Sequence, residues 1–141
     1  LLMKFIVLRL VLDFGLLVLI WIIQRIIYPS FLHYNKQNLI PWHKKYTARF
    51  ATIVIPLMFG QLGVSLHLVN TSPNLYTFAS LGLIVLVWGV TFLQFVPIHS
   101  SISRGDASEE LLTTLVSRNW VRTILWTLLF ITSTLYYMFY S

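Results

Sequence analysis

The chain has 141 residues, of which 57% are hydrophobic and only 10% charged, with a net charge of +6 and no cysteine. That length allows one compact domain, but the apolar excess lies far outside the range of soluble globular proteins. The missing cysteines exclude disulfides, thiolate metal sites and thiol catalysis together.

The apolar residues fall into four blocks, at about 5–28, 50–69, 75–96 and 121–140. Each approaches the roughly 20 residues that a helix rising about 1.5 Å per residue needs to cross a hydrocarbon layer about 30 Å thick. The expected fold is an all-α membrane protein, a four-transmembrane-helix bundle forming a single domain over residues 1–141. Its second, third and fourth helices are expected to extend into the cytoplasm.

The first block starts like a signal peptide, with Lys4 and Arg9 before an apolar run. It lacks a small-residue cleavage site, however, and carries Asp13 and Arg25, so it is expected to stay in the mature protein. The opening Leu1-Leu2-Met3 leaves the biological start residue open. Asp13 falls roughly 12 Å inside the span by helical rise, where a carboxylate is costly and normally faces the bundle interior. Gln61, Thr132 and Ser133 fall at a similar depth, and Arg9 is one turn from Asp13 as counter-ion. Interhelical hydrogen bonding accounts for such a layer better than a proton or substrate pathway does. A transporter is disfavoured by the lack of an internal repeat or a broken-helix pair.

In the second block, Pro41 can open a helix at its first turn, and the run "PWHKKYTARF" then continues without a breaker into the span. Pro56 and Pro97 are expected to kink their helices rather than end them. His33 lies in the first loop, and His67 with residues 70–74 forms a plain outer turn. Arg104-Gly105-Asp106 is the turn signal of the hairpin at about 97–120, and its adhesion-motif spelling carries no weight on a cytoplasmic loop. Asp106, three residues before Glu109, reads as an N-cap with its capping-box partner. From Ala107 to Tyr140 neither glycine nor proline interrupts the last helix.

Eight basic residues (Arg25, Lys36, Lys44, Lys45, Arg49, Arg104, Arg118 and Arg122) lie at or beside the first and third loops, against Lys4 and Arg9 on the other side. This positive-inside bias puts both loops in the cytoplasm and both termini outside. Anionic headgroups of the lipid bilayer account for the charge, and no nucleic-acid partner is required.

His43 precedes Phe50 by roughly 10 Å of helix and His99 follows Gln94 by roughly 7 Å, so the two histidines stand at similar heights on neighbouring helices. Neutral imidazoles can move protons or bind metal, but two histidines without a third ligand define no metal site. Interfacial hydrogen bonding is the plainer account. Asn119, Arg122, Thr123 and Trp126 share one helix face, opposite a stripe of Trp88, Phe92, Phe95 and His99. Arg122 among aromatic rings is either an interfacial anchor or a clamp for an anionic or enolate-like ligand.

Several residues carry a family resemblance: Tyr28-Pro29 closing span one, the aromatic Tyr46, Pro56-Leu57-Met58, Pro97 with a polar residue two positions on, and Asn119-Trp120-Val121-Arg122-Thr123 opening span four. Together they resemble the anthrone oxygenase-like group of small bacterial four-helix membrane proteins. The resemblance implies the fold, residence in a bacterial inner membrane, and cofactor-free oxygenation of polycyclic phenols. The chain departs from the group at His99, where the family carries asparagine. A more distant similarity to four-helix haem-associated membrane proteins lacks a first-span histidine to ligate haem.

Two functions of different class follow. The preferred one is a non-enzymatic membrane protein that binds an apolar or lipid-like small molecule, or packs as an accessory subunit of a membrane complex or homo-oligomer. The alternative is an enzyme acting on an aromatic or quinone-like substrate at the cytoplasmic interface. In that case Arg122 and Asn119 hold an oxyanion, His43 or His99 moves a proton, and Tyr46, Trp88, Phe92, Thr123 and Trp126 line the ligand. Neither reading requires a metal or a cofactor.

Overall fold

The computed structural model describes residues 1–140. Four long helices account for nearly all of them: α1 over Leu2–His33, α2 over Lys36–Thr71, α3 over Leu75–Ser103 and α4 over Glu109–Tyr140. Helices α1 and α3 each pack against both α2 and α4, and the joining segments are short, giving an up-and-down ring of four. Helices α1, α2 and α3 are long and apolar enough to cross a membrane. Large apolar side chains such as Val11, Phe14, Ile53, Phe59, Val85 and Leu93 point outward, which gives an exterior unlike that of a water-soluble monomer.

Helix α1 buries Ile6, Arg9, Asp13, Leu16, Ile20 and Ile23 at alternating steps of three and four, the spacing of a seam facing neighbouring helices. A π turn over Ile23–Ile27 then inserts one extra residue, and the stripe resumes one position later at Gln24, Tyr28 and Phe31. Helix α3 repeats the device. Its stripe of Thr77, Ser80, Ile84 and Val87 meets a π turn over Thr91–Phe95 and resumes at Phe95, Ile98 and Ile102, with Phe95 and Ile102 one position late.

The cause is local. A proline inside a helix supplies no N–H to the carbonyl four residues back, and its ring presses on that carbonyl. For Pro29 that carbonyl belongs to Arg25 and for Pro97 to Leu93, the central residues of the two π turns. The expected kink at Pro97 therefore takes the form of a register shift. Pro41 and Pro56 lie inside α2, which stays α-helical around both.

Two helix starts differ from expectation. Helix α2 begins at Lys36, not at Pro41, because the Asn35 side chain accepts from the Asn38 N–H at 2.8 Å and caps the first turn. In the hairpin, Asp106 is no N-cap; Ser108 takes that place, its hydroxyl accepting from the Leu111 N–H at 3.1 Å. Gly105, at φ +108°, ends α3 instead, and the Asp106 N–H turns back to the Ser101 carbonyl at 3.0 Å. His33 belongs to a closing 3-10 turn of α1 rather than to a loop.

A buried polar cluster ties all four helices together at the other end of the ring. The Arg9 Nε donates to Asp13 Oδ1 at 2.8 Å, and the Gln61 amide donates to the same oxygen at 2.6 Å. Ser133 donates to Asp13 Oδ2, while Arg9 Nη1 reaches Ser80 Oγ at 3.2 Å. Thr132, expected in this layer, bonds back to the Leu129 carbonyl within its own helix. Arg9 and Asp13 are both fully buried, so removing one leaves an uncompensated charge in a medium that cannot solvate it. Asp13→Ala is expected to destabilise the fold by about 3 kcal/mol, and the double variant Arg9→Met/Asp13→Leu by less than Asp13→Ala alone. Reversible unfolding in mixed detergent micelles tests this; an Asp13→Ala curve that overlays wild type refutes the cluster's structural role.

Candidate functional site

The register shifts bring the later parts of α1 and α3 against α2 and α4, around a cavity of about 310 Å³. Its walls are aromatic: Tyr46, Phe50 and Phe59 from α2, Trp88, Phe92 and Phe95 from α3, and Trp126 from α4. Ile55 and Phe59 on one side and Phe92 and Val96 on the other are exposed as well as lining. The mouth therefore opens sideways between α2 and α3, through the apolar exterior. Three polar side chains of chemical interest face inward, Tyr28, His99 and Arg122.

Arg122 dominates the electrostatics. It is 6% exposed, and its guanidinium carbon lies 4.1 Å from the Phe95 ring centroid and 5.5 Å from that of Trp126. Nη1 reaches Thr91 Oγ1 at a long 3.5 Å, and Nε is buried without a hydrogen-bond partner. The single ion pair among the described residues is Arg9–Asp13, so no carboxylate neutralises Arg122. Trp88 lines the same cavity and carries a second buried donor without a partner, Nε1.

The two histidines, placed at matching heights by helical rise, lie within one hydrogen bond of each other. The rings stack with centroids 4.9 Å apart, and His43 Nε2 is 2.7 Å from His99 Nδ1. On the cavity side His99 Nε2 meets the Tyr28 hydroxyl at 2.9 Å. On the far side His43 Nδ1 meets Ser103 Oγ at 3.1 Å. All four imidazole nitrogens are thus engaged, in a chain running from the cavity to the hairpin. His43 is fully buried behind His99 and does not line the cavity. The pair has no third histidine or carboxylate gathered with it among the described residues.

No family model, curated protein or solved structure matches this chain. The functional reading therefore rests on the residues around the cavity.

Of the residues singled out in the sequence, Tyr46, Trp88, Phe92, His99, Arg122 and Trp126 come together on the cavity wall. Asn119 and Thr123 do not. Both are fully buried and face α1, where the Asn119 amide and the Thr123 hydroxyl each donate to Gln24 Oε1 at 3.0 Å. Gln24 in turn donates to the Val116 carbonyl at 3.1 Å. One helix face at 119, 122, 123 and 126 is split between two neighbours, since a buried face on a four-helix ring touches two helices at once. Asp13 and Gln61 lie in the separate polar cluster, joined to the cavity only through Trp126 Nε1, 3.4 Å from Gln61 Oε1. Tyr28 was marked in the sequence only within the Tyr28-Pro29 pair, without a role at the site, and Gln24 and Ser103 were missed. A glutamine in the apolar run "LIWIIQRIIYP" was the available signal for a buried polar contact.

A larger cavity of about 590 Å³ lies between α3 and α4 at the opposite end, beside Tyr76 and Ser80. It has no charged lining residue, so volume alone favours it and chemistry does not.

His43 and His99 occupy helical turns beyond the 50–69 and 75–96 apolar segments. Burial lowers the His43 pKa to about 4. Burial, with smaller contributions from His43 and Arg122, lowers that of His99 to about 3. Both groups are ordinary histidines, near 6.5, in the unfolded chain. Between about pH 6.5 and pH 4 the unfolded chain therefore binds more protons than the fold, and stability falls as pH is lowered through that window. The melting temperature in detergent is expected to drop between about pH 7 and pH 4, and to drop less in a His43→Gln/His99→Gln double variant. Parallel pH profiles for the two proteins refute the assignment.

Proposed function

We propose that this chain is a four-span integral protein of a bacterial inner membrane, with α4 as the fourth crossing. Its hairpin and basic loops lie in the cytoplasm and both termini outside. The charge asymmetry and the outward apolar side chains support that topology. Within it, the protein binds an apolar, flat aromatic or quinone-like molecule carrying an acidic or carbonyl oxygen.

The observation that carries this reading is Arg122. A buried guanidinium without a carboxylate is costly, and this one faces an aromatic cavity with its Nε unsatisfied. An anionic oxygen answers that charge, the aromatic walls supply contact area for rings, and Trp88 Nε1 offers a second donor. The volume lies at the lower end of the roughly 300–1,000 Å³ typical of small-molecule sites. The sideways mouth suits a ligand that arrives from the lipid phase.

The Tyr28–His99–His43 chain favours a second, enzymatic reading, in which the same molecule is a substrate deprotonated for cofactor-free oxygenation, as the sequence resemblance implies. Asn119 has no part in either version, because its amide is spent on Gln24.

Purification in mild detergent, followed by absorbance and mass spectrometry of extracted small molecules, tests the binding function. Wild type is expected to carry an acidic aromatic or quinone-like compound. Arg122→Met is expected to lose it, with affinity for an added phenol such as 4-nitrophenol reduced on the order of tenfold or more, given about 1.5–3 kcal/mol for a hydrogen bond to a charged group. Equal binding by wild type and Arg122→Met overturns the proposal.

A further inference from the structure

Tyr28 occupies a specific position. It is 2% exposed, it lines the cavity beside Arg122, and among the described residues it is the cavity side chain that hydrogen-bonds the histidine pair. His99 also lines the cavity, but both of its ring nitrogens are engaged, Nε2 by Tyr28 and Nδ1 by His43. A ligand proton therefore meets the Tyr28 oxygen before any free imidazole nitrogen. At the other end, Ser103 is half-buried in the last turn of α3, next to the exposed Arg104.

Resting on the binding function above, we infer that Tyr28, His99, His43 and Ser103 form a proton relay that lets an acidic ligand bind as its anion, its proton leaving at the hairpin surface.

Each link can carry one proton in one direction. At rest the Tyr28 hydroxyl donates to His99 Nε2, His99 Nδ1–H donates to His43 Nε2, and His43 Nδ1–H donates to Ser103 Oγ. On binding, the ligand O–H bond breaks and a new O–H bond forms on Tyr28, as the phenol's own proton moves to His99 Nε2. The His99 Nδ1 proton moves to His43 Nε2, and the His43 Nδ1 proton moves to Ser103 Oγ. The original Ser103 hydroxyl proton passes to water. Every residue ends neutral, both histidines have exchanged tautomers, and the single remaining charge is the ligand oxyanion beside Arg122. Reverse flow returns the proton when the ligand leaves. The heavy-atom distances of 2.9, 2.7 and 3.1 Å along the chain all fall within transfer reach. Because the relay works between neutral imidazoles, it needs no imidazolium to exist next to Arg122.

The test uses the full chain in detergent micelles with 4-nitrophenol, whose anion is yellow, at a pH where the free phenol is mostly protonated. Quenching of tryptophan fluorescence, to which Trp88 and Trp126 contribute from the cavity wall, reports affinity; stopped-flow absorbance reports formation of the bound anion. Wild type is expected to bind the phenol as its anion. His43→Gln keeps hydrogen-bonding capacity toward His99 and Ser103 but cannot pass a proton, and His43 does not touch the ligand. It is expected to bind with wild-type affinity while the anion forms on the order of a hundredfold more slowly. Ser103→Ala removes the surface end without altering the cavity and is expected to slow the same step, which keeps the test valid should His43→Gln fold poorly. Anion formation at the wild-type rate in a folded variant that lacks His43 or the Ser103 hydroxyl overturns the relay and leaves the binding function intact. Binding of the phenol in its neutral form by wild type also overturns the relay. No binding by wild type removes the binding function, and the relay falls with it.

Discussion

A guanidinium taken out of water has to be answered by something, and this bundle contains two that are answered differently. Arg9 has a carboxylate one turn away, and Gln61, Ser80 and Ser133 complete a cluster that draws on all four helices. Arg122 has aromatic faces, the Tyr28 hydroxyl beside it and the distant hydroxyl of Thr91. The first arrangement is nearly closed, and its value is to fix which helix sits beside which. The second is left electrostatically incomplete, and ring quadrupoles recover only about 0.5–2 kcal/mol of such a deficit. The incompleteness of the second depends on the completeness of the first, since a loose bundle would let a headgroup or water reach Arg122 from any side.

The two prolines set the shape of the site. Each displaces the buried stripe of its helix by one residue, so the half of α1 and α3 that holds the polar cluster and the half that builds the cavity both face the ring, the second half through residues one position later in the sequence. A continuous stripe would have buried Ile27 and Ser30 in α1 where Tyr28 and Phe31 now stand. Tyr28 and His99 lie on the shifted side of these turns, and Phe92 and Phe95 lie within the second.

Much of this was legible in the residues. The four apolar blocks gave the helices, and helical rise put His43 and His99 at one height, where they hydrogen-bond. Asp13 in an apolar span pointed to Arg9 one turn away and, by depth, to Gln61, Ser133 and Thr132, of which Thr132 bonds within its own helix instead. What could not be read was rotation. Asn119, Arg122, Thr123 and Trp126 share a face by spacing, but whether that face meets α1 or α3 depends on how the helix is turned between two neighbours, and a register shift in each neighbour moves the answer. Asn119 and Thr123 went to Gln24 for that reason, and Tyr28 entered the cavity. Capping was misread for a simpler cause: Asp106 and Ser108 are both good N-caps, and the Gly105 turn uses the backbone of Asp106 to close α3.

The π turns have a consequence for how such a protein can change over generations. A helix position contributes about 100° of rotation, but a π turn absorbs one extra residue, so deleting a single residue inside 23–27 or 91–95 would return that turn to α-helix and leave Tyr28 and Phe31, or Phe95 and Ile102, on the buried face. Composition, hydropathy and length would barely register the event. The two π turns are therefore the places where a lineage can gain or lose one codon without turning either half of the helix away from the ring.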